Sequence, residues 1–140
     1  MLPSLSMSCS TGSKGCVGTV LRLSFGLSLL LVGVAHYQTI GNFSNMVAQG
    51  LGPLEPLGSI WAYVLPALMI VGGALYTVNR KTCIAGLASG VALGSIPVGM
   101  LLKAVLDENV ALGDMMGPAI NAFIWLLVYA FVVKSTCCKE

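Results

Sequence analysis

Apolar residues in this chain gather into four long runs, separated by short clusters of charge, glycine and proline. The runs are too continuous for the alternation of a half-buried strand, or for the single apolar stripe of a soluble helix. They cover about 17–37, 57–78, 82–102 and 117–133. Arg22 stands one turn inside the first, which then stays uncharged from Leu23 to Ala35; the second and third carry no charge. About 20 apolar residues in a helix cross the roughly 30 Å of hydrocarbon in a bilayer, and a helix satisfies its own backbone groups where water cannot. The pattern predicts an all-α fold: a four-transmembrane-helix bundle forming one integral membrane domain over 1–140, with a flexible Ser-rich segment at 1–13.

Composition agrees with that solvent. Hydrophobic residues make up 56% of the 140 and charged residues 9%, and the mean hydropathy is +0.91. So few charges cannot cover a soluble domain of this size. A net charge of +2 gives no field for nucleic acid, so the expected partners are the lipid bilayer and other membrane proteins. Positive residues set the orientation, because short cytoplasmic loops collect Lys and Arg. Lys14, Arg22, Arg80, Lys81, Lys134 and Lys139 fall on one side, whereas Lys103 on the other is outnumbered by Glu55, Asp107, Glu108 and Asp114. Both termini are therefore expected in the cytoplasm. The alternative for the first run is a cleaved signal peptide ending at Gly33-Val34-Ala35, which would leave three spans.

The connections and glycines predict how the helices meet. Asn79, Arg80 and Lys81 leave room for a tight turn and nothing more. The segment 38–56 holds Gly50, Gly52, Pro53 and Pro56 and can form a small cap, and 103–116 is amphipathic enough for a short surface helix ahead of Gly117-Pro118. Helices associate in lipid through small residues and a few polar contacts. Gly86, Gly90 and Gly94 recur every four residues on one face of the third helix, a packing surface for the bundle or for a dimer. Gly26 and Gly33 in the first helix and Gly72-Gly73 in the second offer matching grooves. Pro66 and Pro97 should kink their helices, with Ser95 near the carbonyls that Pro97 frees.

Reactive groups are sparse. No carboxylate lies within a span, which argues against a proton-coupled antiporter. Arg22 reads as a topology anchor and phosphate contact whose stem snorkels, or as the holder of an anionic ligand. His36, at the outer end of the first helix, can donate to a quinone oxygen or carry a proton, and Trp61 and Tyr63 lie at a similar depth to flank a flat ring. Arg22, His36, Trp61 and Tyr63 are thus the candidate ligand-binding set for quinone or lipid, beside a bland reading of each as an interface residue. Asn121, one turn into the fourth run, reads as an interhelical hydrogen bond. Cys9, Cys16, Cys83, Cys137 and Cys138 all fall on the expected cytoplasmic side, where thiols stay reduced. Structural disulfides are therefore not expected, and with no Cys-x-x-Cys neither a zinc pair nor a thioredoxin-like redox motif is indicated. No catalytic set is assigned.

These residues also carry a family likeness. Leu21-Arg22-Leu23-Ser24-Phe25-Gly26 and Gly33-Val34-Ala35-His36 resemble the first-helix pattern of the DoxX family, an Arg, two Gly and a terminal Lys at this spacing. Met69-Ile70-Val71-Gly72-Gly73 is similar to that family's Glu-x-x-Gly-Gly segment. The likeness covers roughly 17–105. His36 stands where the family has Lys and Met69 where it has Glu, so a polar pair is altered. The resemblance implies a small four-helix protein of a prokaryotic cytoplasmic membrane, often an accessory subunit of quinone-linked or thiol-linked oxidoreductases. Three functions are therefore open: a noncatalytic subunit or scaffold, acting as a homo-oligomer or in a larger membrane complex; a quinone-binding redox protein; and a small transporter or channel.

Overall fold

The computed structural model describes residues 13–137. Five helices follow in order: α1 (Ser13–Gln38), α2 (Ile40–Ala48), α3 (Glu55–Val78), α4 (Thr82–Leu106) and α5 (Leu112–Cys137), with one 3₁₀ turn at Gly52–Leu54 before α3. Four helices are long and apolar enough to cross a membrane, within the segments Gly15–Gln38, Gly52–Val78, Thr82–Leu106 and Leu112–Ser135. The chain is an all-α, multi-pass membrane bundle. The flexible segment expected at 1–13 lies, but for Ser13, outside the described residues.

Short connections make neighbouring spans antiparallel. α1 packs along α3, α3 along α4 and α4 along α5, while α5 meets α1 over a smaller area. One end of the bundle therefore carries the start of α1, the α3–α4 turn and the end of α5; the other carries α2. The core between the helices is Phe25 and Leu29 from α1, Met69 and Tyr76 from α3, Leu93 from α4 and Val132 from α5. The Phe25 and Tyr76 rings meet edge to face at 5.7 Å, an arrangement that the ring quadrupoles favour.

Close backbone approach joins α1 to α3. A Cβ on Gly73 would sit 2.6 Å from both Gly26 O and Leu30 N, and one on Gly26 would sit 2.9 Å from Gly73 O. Further along, a Cβ on Gly33 would meet Pro66 O at 3.0 Å. On the adjoining side of α3, Gly72 faces Ser89 of α4, whose Oγ would collide with a Cβ there. The glycine row of α4 has a mixed fate. Gly90 accommodates the Tyr129 ring of α5 and Gly86 lies under the Tyr76 hydroxyl, but Gly94, expected to pack on the same face, has nothing within 4 Å of a Cβ.

The α3–α4 turn closes as its length demands. Asn79 and Lys81 take left-handed conformations, φ 54° and 47°. The Asn79 N–H donates to Tyr76 O at 3.3 Å and the Arg80 N–H to Leu75 O at 3.1 Å, which caps the last carbonyls of α3. At the other end, α4 and α5 depart from the expected boundaries. α4 continues past Lys103 to Leu106, and α5 begins at Leu112 with Pro118 inside it, so no separate surface helix forms within 103–116. Lys103 is tolerated there because its ammonium donates to Met46 O near the end of α2, where a cation complements the helix dipole. Asp107 stops α4: its Oδ1 accepts from the Asn109 N–H at 3.0 Å and from Asn109 Nδ2 at 3.2 Å.

Candidate functional site

Three of the four candidate ligand residues lie at the α2 end of the bundle and the fourth does not. Arg22 and His36 share α1 fourteen positions apart, which places them ~21 Å apart along the axis at 1.5 Å per residue. They belong to no common pocket. Arg22 stands between Gly18, whose Cβ position is 3.8 Å from Ser135 Cβ of α5, and Gly26, which faces Thr77 of α3. Its half-buried guanidinium makes no hydrogen bond or ion pair with a described residue, which leaves its donors for lipid phosphate or another anion.

At the α2 end the protein itself holds His36 Nδ1 and the Trp61 indole N–H. His36 Nδ1 is 2.7 Å from Val32 O; a carbonyl can only accept, so Nδ1 carries the proton. In the neutral ring Nε2 is then an acceptor, so donation to a quinone oxygen requires imidazolium. The ring stands edge-on to Phe43 of α2 with centroids 4.4 Å apart, and it makes no ring contact with Trp61 or Tyr63 among the described residues. The Trp61 indole N–H donates to Ser95 Oγ of α4 at 3.2 Å. That hydroxyl donates in turn to Ala92 O at 2.8 Å, rather than to Leu93 O, the carbonyl that Pro97 frees four residues back. Tyr63 accepts through its backbone: the Tyr37 hydroxyl donates to Tyr63 O at 2.8 Å, and the Tyr63 side chain is exposed. His36, expected to donate to a quinone oxygen, and Trp61 and Tyr63, expected to flank its ring, serve three different helix contacts.

A polar depression opens beside them instead. Asn45, Ala48 and Gln49 from the end of α2 and Glu55, Pro56 and Ser59 from the start of α3 line an open space of about 400 Å³. Its polar lining comes from two i, i+4 pairs, Asn45 with Gln49 and Glu55 with Ser59. That spacing is visible in the sequence once both segments are taken as helical. Close packing below it comes from Gly58, whose Cβ position is 3.2 Å from Ala48 Cα. Above α2 the Asp107 carboxylate covers Gly50, which has φ 82°.

A second polar group lies inside the bundle, at positions that the pattern of apolar runs does not single out. The Tyr129 hydroxyl donates to Gly86 O at 2.9 Å, and Tyr76, Thr82 and Ser89 are buried around the same stretch of α4. Ser89 Oγ has no hydrogen-bond partner there. Asn121 departs from expectation in the opposite sense: read as an interhelical hydrogen bond, it is exposed on α5 and bonded to no described residue. Cys16 is another correction, because it is disulfide-bonded rather than reduced. A disulfide at this end runs against the reduced thiols of a cytoplasmic compartment, so the expected orientation rests on the Lys and Arg distribution alone. Cys83 is a free, exposed thiol, while Cys9 and Cys138 lie outside the described residues. Among the described residues no three of His, Cys, Asp and Glu stand together to hold a metal ion. No protein-family model, curated protein or solved structure matches the chain.

Proposed function

We propose that this protein is a noncatalytic subunit or scaffold of the DoxX-like kind, in a complex of a prokaryotic cytoplasmic membrane, with both termini in the cytoplasm. The observation that carries the reading is the employment of its polar side chains. Trp61 N–H, Tyr37 O–H and Tyr129 O–H each tie one span to another, so these polar groups serve packing between helices. The arrangement yields a stiff bundle with wide apolar outer faces, which suits packing against other membrane proteins. Extraction in mild detergent, followed by mass spectrometry of co-purifying subunits and lipids, tests it. A stoichiometric larger membrane protein is the expected result; turnover of quinol or thiosulfate by the purified chain refutes it.

A quinone-binding reading has one feature in its favour. His36 Nε2 is unengaged at the edge of Phe43, and imidazolium there would present a donor beside an aromatic ring. That reading requires His36→Ala to weaken quinone binding at least tenfold and Trp61→Ala to weaken it less, since the indole N–H already serves Ser95. Unchanged affinity in the His36 variant removes it. Ion or solute flux into liposomes above that of empty vesicles would instead favour a transporter or channel.

A further inference from the structure

The outer face of α5 presents an amide that the described residues leave without a partner. Asn121 is exposed and makes no hydrogen bond with any described residue. It lies within the apolar segment Leu112–Ser135, ~4 Å along the axis from its midpoint at 1.5 Å per residue. Hydrocarbon at that depth offers neither donor nor acceptor, so an unpaired carboxamide there is costly. The group needs a partner from outside the chain, and its own chemistry narrows the choice. A primary amide is donor and acceptor at once, so a second Asn121 satisfies both functions with no other residue required.

The surroundings allow that approach. Gly117 and Gly113 continue the same helical row toward the α2 end, and a Cβ on either would meet nothing within 4 Å. Small residues four apart let two helices cross closely in lipid. Ile120 and Ile124 flank the row and are 57% and 54% exposed. α5 is also the least enclosed span, 17% buried against 39% for α3 and α4. Gly86 and Gly90 of α4 are not free for such a role, because Tyr76 and Tyr129 already lie over them.

We propose that a second copy of this chain docks on α5, with the two helices crossing at Gly117 and the two Asn121 side chains hydrogen-bonded across a two-fold axis along the membrane normal. Copies inserted with the same orientation place each residue of α5 opposite itself, as a closed two-fold interface requires. The inference rests on the reading of the protein as a packing subunit, and it commits that reading to one face and one partner.

Native mass spectrometry of the full chain, released from nanodiscs of a phosphatidylethanolamine and phosphatidylglycerol mixture, tests it. Dimers are expected, with Asn121→Leu lowering their association constant about fivefold and Gly117→Leu lowering it at least tenfold. A Cβ at Gly117 meets nothing within 4 Å and Asn121 is exposed without a hydrogen bond to a described residue, so both variants should melt as the parent monomer does. In membranes, Gly117→Cys should form a cross-linked dimer under mild oxidation that Val98→Cys, on the exposed face of α4, does not. A chain that stays monomeric at every concentration, or dimers that survive both α5 substitutions, overturns the proposal. So does a larger protein cross-linked to α5 in place of a second copy, an outcome that would leave the scaffold reading standing. A dimer with no larger partner would sustain this interface and weaken that reading.

Discussion

Replacing Gly73 by Ala adds one methyl group where α1 and α3 lie nearest. Its Cβ would sit 2.6 Å from Gly26 O and Leu30 N, against about 3.4 Å for ordinary contact. The obstructing atoms are backbone, so no rotamer change relieves the clash, and the helices must separate by ~0.8 Å at that level. A gap of that size forfeits a quarter to a half of the dispersion energy across the seam, and overpacked sites cost about 1–3 kcal/mol. We expect a loss of roughly 2–3 kcal/mol for Gly73→Ala, a factor of about 30–150 in the folding equilibrium at 1.4 kcal/mol per tenfold. Reversible unfolding in mixed micelles measures it, followed by tryptophan emission, since Trp125 lies 6.3 Å from the Phe25 ring of α1. Gly94→Ala is the matched control: nothing lies within 4 Å of its Cβ position, so gained helix propensity should leave stability within ~1 kcal/mol of the parent or above it. Equal stability of the Gly73 variant and the parent would refute the close approach of α1 to α3, and so would equal losses at Gly73 and Gly94.

Gly72→Ala should cost at least 1 kcal/mol through contact with Ser89 Oγ, and much of that loss should vanish on a Ser89→Ala background; additive effects in a double-mutant cycle would show that the two residues do not meet. Ser89→Ala alone should be neutral or stabilising, because it removes a buried hydroxyl that has no partner; a melting temperature lowered by several degrees would contradict that. Trp61→Phe should cost about 0.6–1.5 kcal/mol by breaking the bond to Ser95, with a matching loss in Ser95→Ala and little more in the double variant. In the unreduced protein a maleimide should label Cys83, whereas Cys16 should label after reduction. With an impermeant reagent, Cys83 should react only once cells are opened; labelling in intact cells would reverse the proposed orientation.

Four spans could be read from the sequence because lipid punishes charge at every position, so interruptions in the apolar runs mark the ends of helices. The rule fails where a charge finds company. Lys103 reads as an end, yet its ammonium reaches Met46 O and α4 runs one turn further to Leu106. Pro118 reads as a helix start, yet it lies within the first two turns of α5, where the lost hydrogen bond is one of few.

The glycines show what spacing can and cannot encode. Recurrence every four residues reports that something can approach closely, without identifying it. Gly26 and Gly73 meet each other, Gly90 meets a tyrosine ring and Gly94 meets nothing among the described residues. The difference is set by the size of the residue on the facing helix, which the local pattern does not contain. The same blindness covers the candidate site. His36, Trp61 and Tyr63 lie at similar depths, as counting along each span predicts, but depth leaves each side chain's direction around its helix undetermined. Rotation puts His36 against Phe43 and Trp61 against Ser95, so equal depth yields three helix contacts in place of one pocket. Asn121 sharpens the point: polarity within a span predicts a hydrogen bond, whereas the structure places this amide on the exposed face of α5 with no partner among the described residues.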